Sequence, residues 1–184
     1  MFTVTASHGF VEDPLRDLLT FHRRIRASLA ALDELSHRAR GEQELDRDQA
    51  AYLAEFFRGP LLWHEENEEE LFLPRLHRVR HSVRLERILA VINEAHRAQP
   101  GCLEPVIAHL VQVAYDGYAK HPDALVASTE RLIRHVEPHV RMEDQELIPL
   151  ARLMLSDEDL AHIERERRAR RHQRRTTIDD ADLV

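Results

Sequence analysis

The chain has 184 residues, 43% hydrophobic and 32% charged, with five glycines and a formal net charge of −7 at pH 7. This length suits one domain with a sizeable core, the composition suits a helical protein with solvated outer faces, and the acidic balance argues against general nucleic-acid binding. Cys102 is the only cysteine, which excludes an intrachain disulfide and a cysteine-built zinc site, whereas thirteen histidines are an excess that needs a reason.

Residues 1–12 carry no helical period and read as an irregular lead-in. Asp13-Pro14 is a helix start, and Leu15, Leu18, Leu19, His22, Ile25, Leu29 and Leu32 trace one stripe toward Arg40 and Gly41. His22 lies inside that stripe, as either a ligand or a hydrogen-bonded core histidine. A second helix is predicted from Asp46, which with Gln49 forms a capping box, and Gly59-Pro60 should kink or restart it. It resumes through Leu61, His64, Glu68, Leu71 and Phe72 and ends near Leu76.

A third helical region starts near Ser82 and carries Leu85, Ile88, Ile92 and His96. Pro100-Gly101 interrupts the pattern, which resumes at Leu103, so one bent helix and two stacked pieces are both open. A fourth helix begins near Asp123, with Pro138 inside it immediately before His139. Ser156 with Asp159 caps a last segment that holds seven arginines between His162 and Arg175, followed by a short acidic tail, Thr176–Val184, expected to be disordered.

The most informative stretch runs from Trp63 to Pro74. His64 and Glu68 are four residues apart, about 40° around a helix, close enough to hold one ion. The same spacing also occurs at His8, His139 and His162, so alone it carries little weight. The pairs at His8 and His162 have no apolar neighbours at helical spacing and read as chance. The other two belong to an internal repeat: His139, Glu143 and Pro149 follow His64, Glu68 and Pro74 by 75 residues, and His96 follows His22 by 74. Each half is then one helix with a buried histidine and one with a histidine and a glutamate. Facing each other, the halves make an antiparallel, all-α, up-down four-helix bundle over residues 13–155, with a charged segment at 156–184. Six candidate ligands converge in it: His22, His64, Glu68, His96, His139 and Glu143. They serve two ions with three protein ligands each, or with both glutamates bridging. Carboxylates on apolar helix faces make sense where cations meet them.

With these residues in place, the sequence resembles the hemerythrin-like family, the HHE cation-binding domain. The resemblance rests on His22, on His64 with Glu68-Glu69, Leu71-Phe72 and Pro74, on His96, and on His139 with Glu143-Asp144 and Ile148-Pro149, across roughly 14–155. It implies a four-helix bundle around a non-haem di-iron centre with bridging glutamates and terminal histidines. The oxygen-carrying members are expected to have two histidines one turn apart on the third helix. Here Ile92 and Pro100 stand four residues either side of His96, which removes one terminal ligand. His135, one turn before His139, is the candidate replacement, either as a seventh ligand or as a hydrogen-bonding partner of one.

Imidazole and carboxylate without thiolate suit iron, manganese or zinc, and the resemblance favours two iron ions. The leading expectation is a protein that binds or processes dioxygen, peroxide or nitric oxide, in sensing or detoxification. The alternative is a non-redox binding or storage protein in which zinc or iron stabilises the bundle. The arginine-rich segment 165–175 is most simply a solvated terminal helix, so nucleic acid is not an expected partner. No run of about 18 apolar residues and no signal pattern is present, which leads us to expect a cytoplasmic protein, monomer or homodimer. Tyr52, Tyr115 and Tyr118 read as core residues with hydroxyls at the rim, and Trp63 points about 100° away from His64.

Overall fold

Helix starts follow the side chains that can cap them. In the computed structural model, which describes residues 13–41, 44–79 and 82–181, the Asp13 carboxylate accepts from the Leu15 amide at 3.0 Å and opens α1 (Pro14–Arg38). The lead-in at 1–12, with its His8–Glu12 pair, lies outside the described residues. Asp46 accepts from the Gln49 amide at 2.9 Å and opens α2 (Arg47–Arg58), and the break at Gly59 starts α3 (Pro60–Asn67) with proline in its first turn. Then come α4 (Leu73–Val79), α5 (Val83–Asp116), α6 (Pro122–Met142), α7 (Ile148–Met154) and α8 (Asp157–Ala181). No strand occurs among the described residues.

One feature settles an alternative that the sequence pattern left open, and two more go beyond it. First, α5 is one helix through Pro100 and Pro105. It ends at Gly117, whose φ of 82° calls for glycine and beside which the Arg47 guanidinium packs, 2.8 Å from where a Cβ would stand. Arg47 donates to the Tyr115 and Asp116 carbonyls at 2.8 and 3.0 Å, tying the start of α2 to the end of α5. Second, π-helical turns at Glu68–Phe72 and Glu143–Leu147 join α3 to α4 and α6 to α7, where continuous α-helix was expected. Each opens on a candidate ligand glutamate and precedes a proline, Pro74 or Pro149, six residues on. A proline cannot donate to the carbonyl four residues back, yet Pro100, Pro105 and Pro138 stand in α-helix without such a turn, so proline alone does not produce it. Third, the backbone is helical to Ala181.

The C-terminal helix is also more than a solvated appendage. Ser156 and Asp159 cap it reciprocally, with Ser156 Oγ accepting from the Asp159 amide at 3.2 Å and the Asp159 carboxylate accepting from the Ser156 amide at 3.0 Å. Ile163 is buried in the apolar cluster around Phe72. Arg167 pairs with Asp17 of α1, Arg170 reaches Asn67 and Glu70 on either side of Glu68, and the Arg174 guanidinium stands 6.0 Å from the centre of the Trp63 ring. The paired face of α8 looks inward. Tyr52, Tyr115 and Tyr118, read as core residues from sequence, are at least half exposed.

The core falls into two apolar clusters. One holds Ile25, Phe56, Phe57, Leu61, Leu103, Leu132 and Val140; the other holds Leu15, Phe72, Leu76, Ile92, Leu147 and Ile163. Chain segments cross from one cluster to the other at His22, at His64–Glu68, at His96 and at His139–Glu143. A layer of buried polar side chains therefore separates two hydrocarbon regions. No described helix is long and apolar enough to cross a membrane.

Candidate metal centre

The six predicted ligands come together in that polar layer, all buried to within 6% residual exposure. Glu68 directs Oε1 toward His64 Nε2 at 3.3 Å and His22 Nε2 at 3.6 Å, and Oε2 toward His96 Nε2 at 3.7 Å. Glu143 lies the same way, with Oε2 3.3 Å from His22 Nε2 and Oε1 3.8 Å from His96 Nε2. Each carboxylate thus offers one oxygen to each half of the site. Two donors about 2.1 Å from a common ion lie about 3.0 Å apart at right angles and about 4.2 Å apart when opposed, which brackets these separations.

These distances suit shared coordination better than hydrogen bonding. His22 Nε2, His96 Nε2, Glu68 Oε2 and both Glu143 oxygens are buried with no hydrogen-bond partner. Buried polar atoms are rarely left so, and a cation is the partner this donor set fits. Three groups of donors could each hold an ion: His22, His64 and Glu68; Glu68, His96 and Glu143; and Glu65, His96 and His139.

Glu65 was not among the residues singled out from sequence. It is 6% exposed and accepts a hydrogen bond from Gln99 Nε2. A signal was present: Leu61, Glu65, Glu68 and Phe72 follow at spacings of four, three and four, one inward stripe of a helix. It supplies a donor on the side where the absent histidine at Pro100 had suggested a gap. His135 does not: its Nε2 donates to the Ala95 carbonyl at 2.8 Å, and its ring stands 6.1 Å from that of His139. Its partner is thus a backbone carbonyl of α5 and not one of the candidate ligands.

The acidic residue after each glutamate has a matching task. Asp144 accepts from His22 Nδ1 at 2.6 Å, and Glu69 accepts from His96 Nδ1 at 3.0 Å. A carboxylate only accepts, so Nδ1 carries the proton and each Nε2 lone pair is left for the site. Arg26 holds Asp144 at 2.7 Å, and despite partial burial the contacts of His22 and Arg26 keep the Asp144 carboxyl below its ordinary range. Phe21 stacks on His64 at 4.5 Å and closes the site on that flank.

Burial without a cation sets protonation. Burial disfavours the charged form of His22, but Asp144, Glu68 and Glu143 outweigh it and raise its pKa to about 10. Burial lowers His64 and His139 to about 4. It pushes Glu65 up to about 9, helped by the neighbouring Glu68, Glu69 and Glu66, and pushes Glu143 well above its ordinary value. Glu68 is the exception: burial opposes its charge, yet His64, His22 and His96 hold it at about 2. Protons stand where cations would.

Comparison with curated proteins returned no significant match. The family model described as the hemerythrin HHE cation binding domain matches residues 13–151, a span that contains all seven buried donors and ends before α8. The chain belongs to the hemerythrin HHE cation-binding family.

Proposed function

We propose that the protein holds two iron ions between the apolar clusters and uses them to bind or process a small oxidant, dioxygen, peroxide or nitric oxide, in sensing or detoxification. The opposed pairings of His22 with Asp144 and Arg40 with Asp123, and of His96 with Glu69 and Arg47 with Tyr115, support reading the fold as an antiparallel up-down four-helix bundle. The observation that carries the two-ion reading is the pair of buried carboxylates, Glu68 and Glu143, each offering an oxygen to both halves. His22 and His64 would serve one ion; His96, His139 and Glu65 would serve the other.

A bound iron pair supplies electron exchange with the oxidant. The chain supplies the surroundings. Asp144 and Glu69 fix the histidine tautomers, and Phe21, Phe56 and Phe72 exclude bulk water from the polar layer. Glu69 is 45% exposed and lines a surface cleft of about 380 Å³ together with His77, Glu86 and Asn93. It therefore links the His96 ring to solvent and gives protons a route to and from the centre. With Glu65 on the His96 side, the His22 side has fewer protein donors and is the place for the small ligand.

The test is anaerobic reconstitution with ferrous iron followed by admission of air, read by visible absorption and by metal analysis of protein purified without added metal. New charge-transfer absorption with two irons per chain is the expected result. Zinc in the purified protein and no response to air would identify a non-redox binding protein instead.

A further inference from the structure

We infer that Gln99 is a positioning residue, which aims Glu65 at the His96–His139 side of the centre and so makes the two ion positions chemically unequal. This deepens the two-ion reading and rests on it. Gln99 is fully buried, and its Nε2 donates to Glu65 Oε1. Its own carbonyl oxygen has no partner among the described residues. A buried amide whose single polar contact is a candidate ligand has its orientation set by that ligand, and sets the ligand's in return. Gln99 follows His96 by three residues, about 60° around α5, so the histidine and the residue holding Glu65 share one side of the same helix.

The internal repeat strengthens the assignment. The shift of 74 residues that carries His22 onto His96 carries Ile25 onto Gln99, and the shift of 75 that carries His64 onto His139 carries Glu65 onto Val140. Ile25 and Val140 are both buried, in the same apolar cluster. Ile25 and Val140 are thus an apolar pair where Gln99 and Glu65 are a polar one, each pair drawing one member from each half, and both members differ together. A carboxylate in that place needs an amide beside it; a valine is served by an isoleucine. Glu65 and Gln99 act as a unit that gives one ion a third terminal donor, harder than imidazole.

The experiment titrates metal-free, full-length protein with Co2+ under anaerobic conditions, read by visible d–d absorption and calorimetry. Wild-type protein is expected to take two equivalents of unequal affinity. Gln99→Met, close in volume to glutamine, should weaken one equivalent about 10- to 100-fold and leave the other unchanged. Glu65→Val should weaken the same equivalent, and Glu65→Val/Gln99→Ile, which copies the apolar pair Val140 and Ile25, should be no weaker than Glu65→Val alone. Should Gln99→Met fail to fold, Gln99→Asn, too short to reach Glu65, replaces it with the same expectation. Fewer than two equivalents in wild type overturns the two-ion reading and this inference with it. Two equivalents with no loss in the Gln99 variant overturn the role of Gln99 alone. So does a loss that persists when the Gln99 change is added to Glu65→Val, since the residue would then act by packing.

Discussion

Replacing Glu143 with leucine should make the metal-free protein more stable while abolishing its stabilisation by metal. Both Glu143 oxygens are buried without a hydrogen-bond partner, and burial, with the neighbouring Glu68, disfavours the charged form of the carboxyl. An unsatisfied buried polar group costs about 1–3 kcal/mol, and exchanging buried ionisable groups for apolar ones of similar size stabilises other proteins by about 1–4 kcal/mol. Leucine would join Val140 and Leu147 on the inward face, so about 1–3 kcal/mol of added stability is expected for the metal-free form. The assay is urea unfolding followed by far-UV circular dichroism, with ΔG taken from the midpoint and slope. Adding Co2+ at about 1,000 times its Kd should stabilise wild type by about 4 kcal/mol and the variant far less. A metal-free Glu143→Leu protein less stable than wild type would refute the reasoning, because it would mean that Glu143 stabilises the fold without a cation.

Stability of the metal-free protein should also fall between about pH 7 and pH 10. Glu65 and His22 both have raised folded values, about 9 and about 10, so their contribution is complete below their ordinary values of 4.5 and 6.5 and disappears as pH rises through the raised ones. Thermal melts across this range, with and without Co2+, test the sign: the metal-loaded form should resist the alkaline loss, and loading near pH 7 should release at least the protons of His22 and Glu65 into weak buffer. Asp144→Asn and Glu69→Gln should each lower metal affinity about 10- to 100-fold, as measured by competition with a chelator, and Asp144→Asn should also lower the melting temperature of the metal-free fold, because Asp144 holds the buried His22 ring and Arg26. On α8, Ile163→Ala should cost about 2–4 kcal/mol, whereas Arg170→Ala should cost under about 1 kcal/mol, because the first removes core packing and the second a part-exposed ion pair. Equal effects in urea unfolding would show that α8 is held by charge and not by burial.

The sequence by itself determined the helices, their starts and the six-donor layer. Caps act within three residues, as Asp13 and Asp46 do, and a ligand pair four residues apart needs only the helical period to face one way. The repeat carried the rest: His22 with His96 and His64–Glu68 with His139–Glu143 could be matched by counting, and the structure brings all six together. Tertiary structure decided what depends on a neighbour far along the chain. Glu65 is one of a run of acidic residues; its helical stripe marks it as inward, but its partner, the Gln99 amide 34 residues away, is named by no local spacing. The π turns at Glu68–Phe72 and Glu143–Leu147 have no counterpart in the helical periodicity of the sequence. The arginines of α8 read as a solvated run because Asp17, Asn67, Glu70 and Trp63, which receive three of them, lie between about 100 and 150 residues earlier. Local geometry is written in short spacings; burial of charge is settled only when distant partners meet.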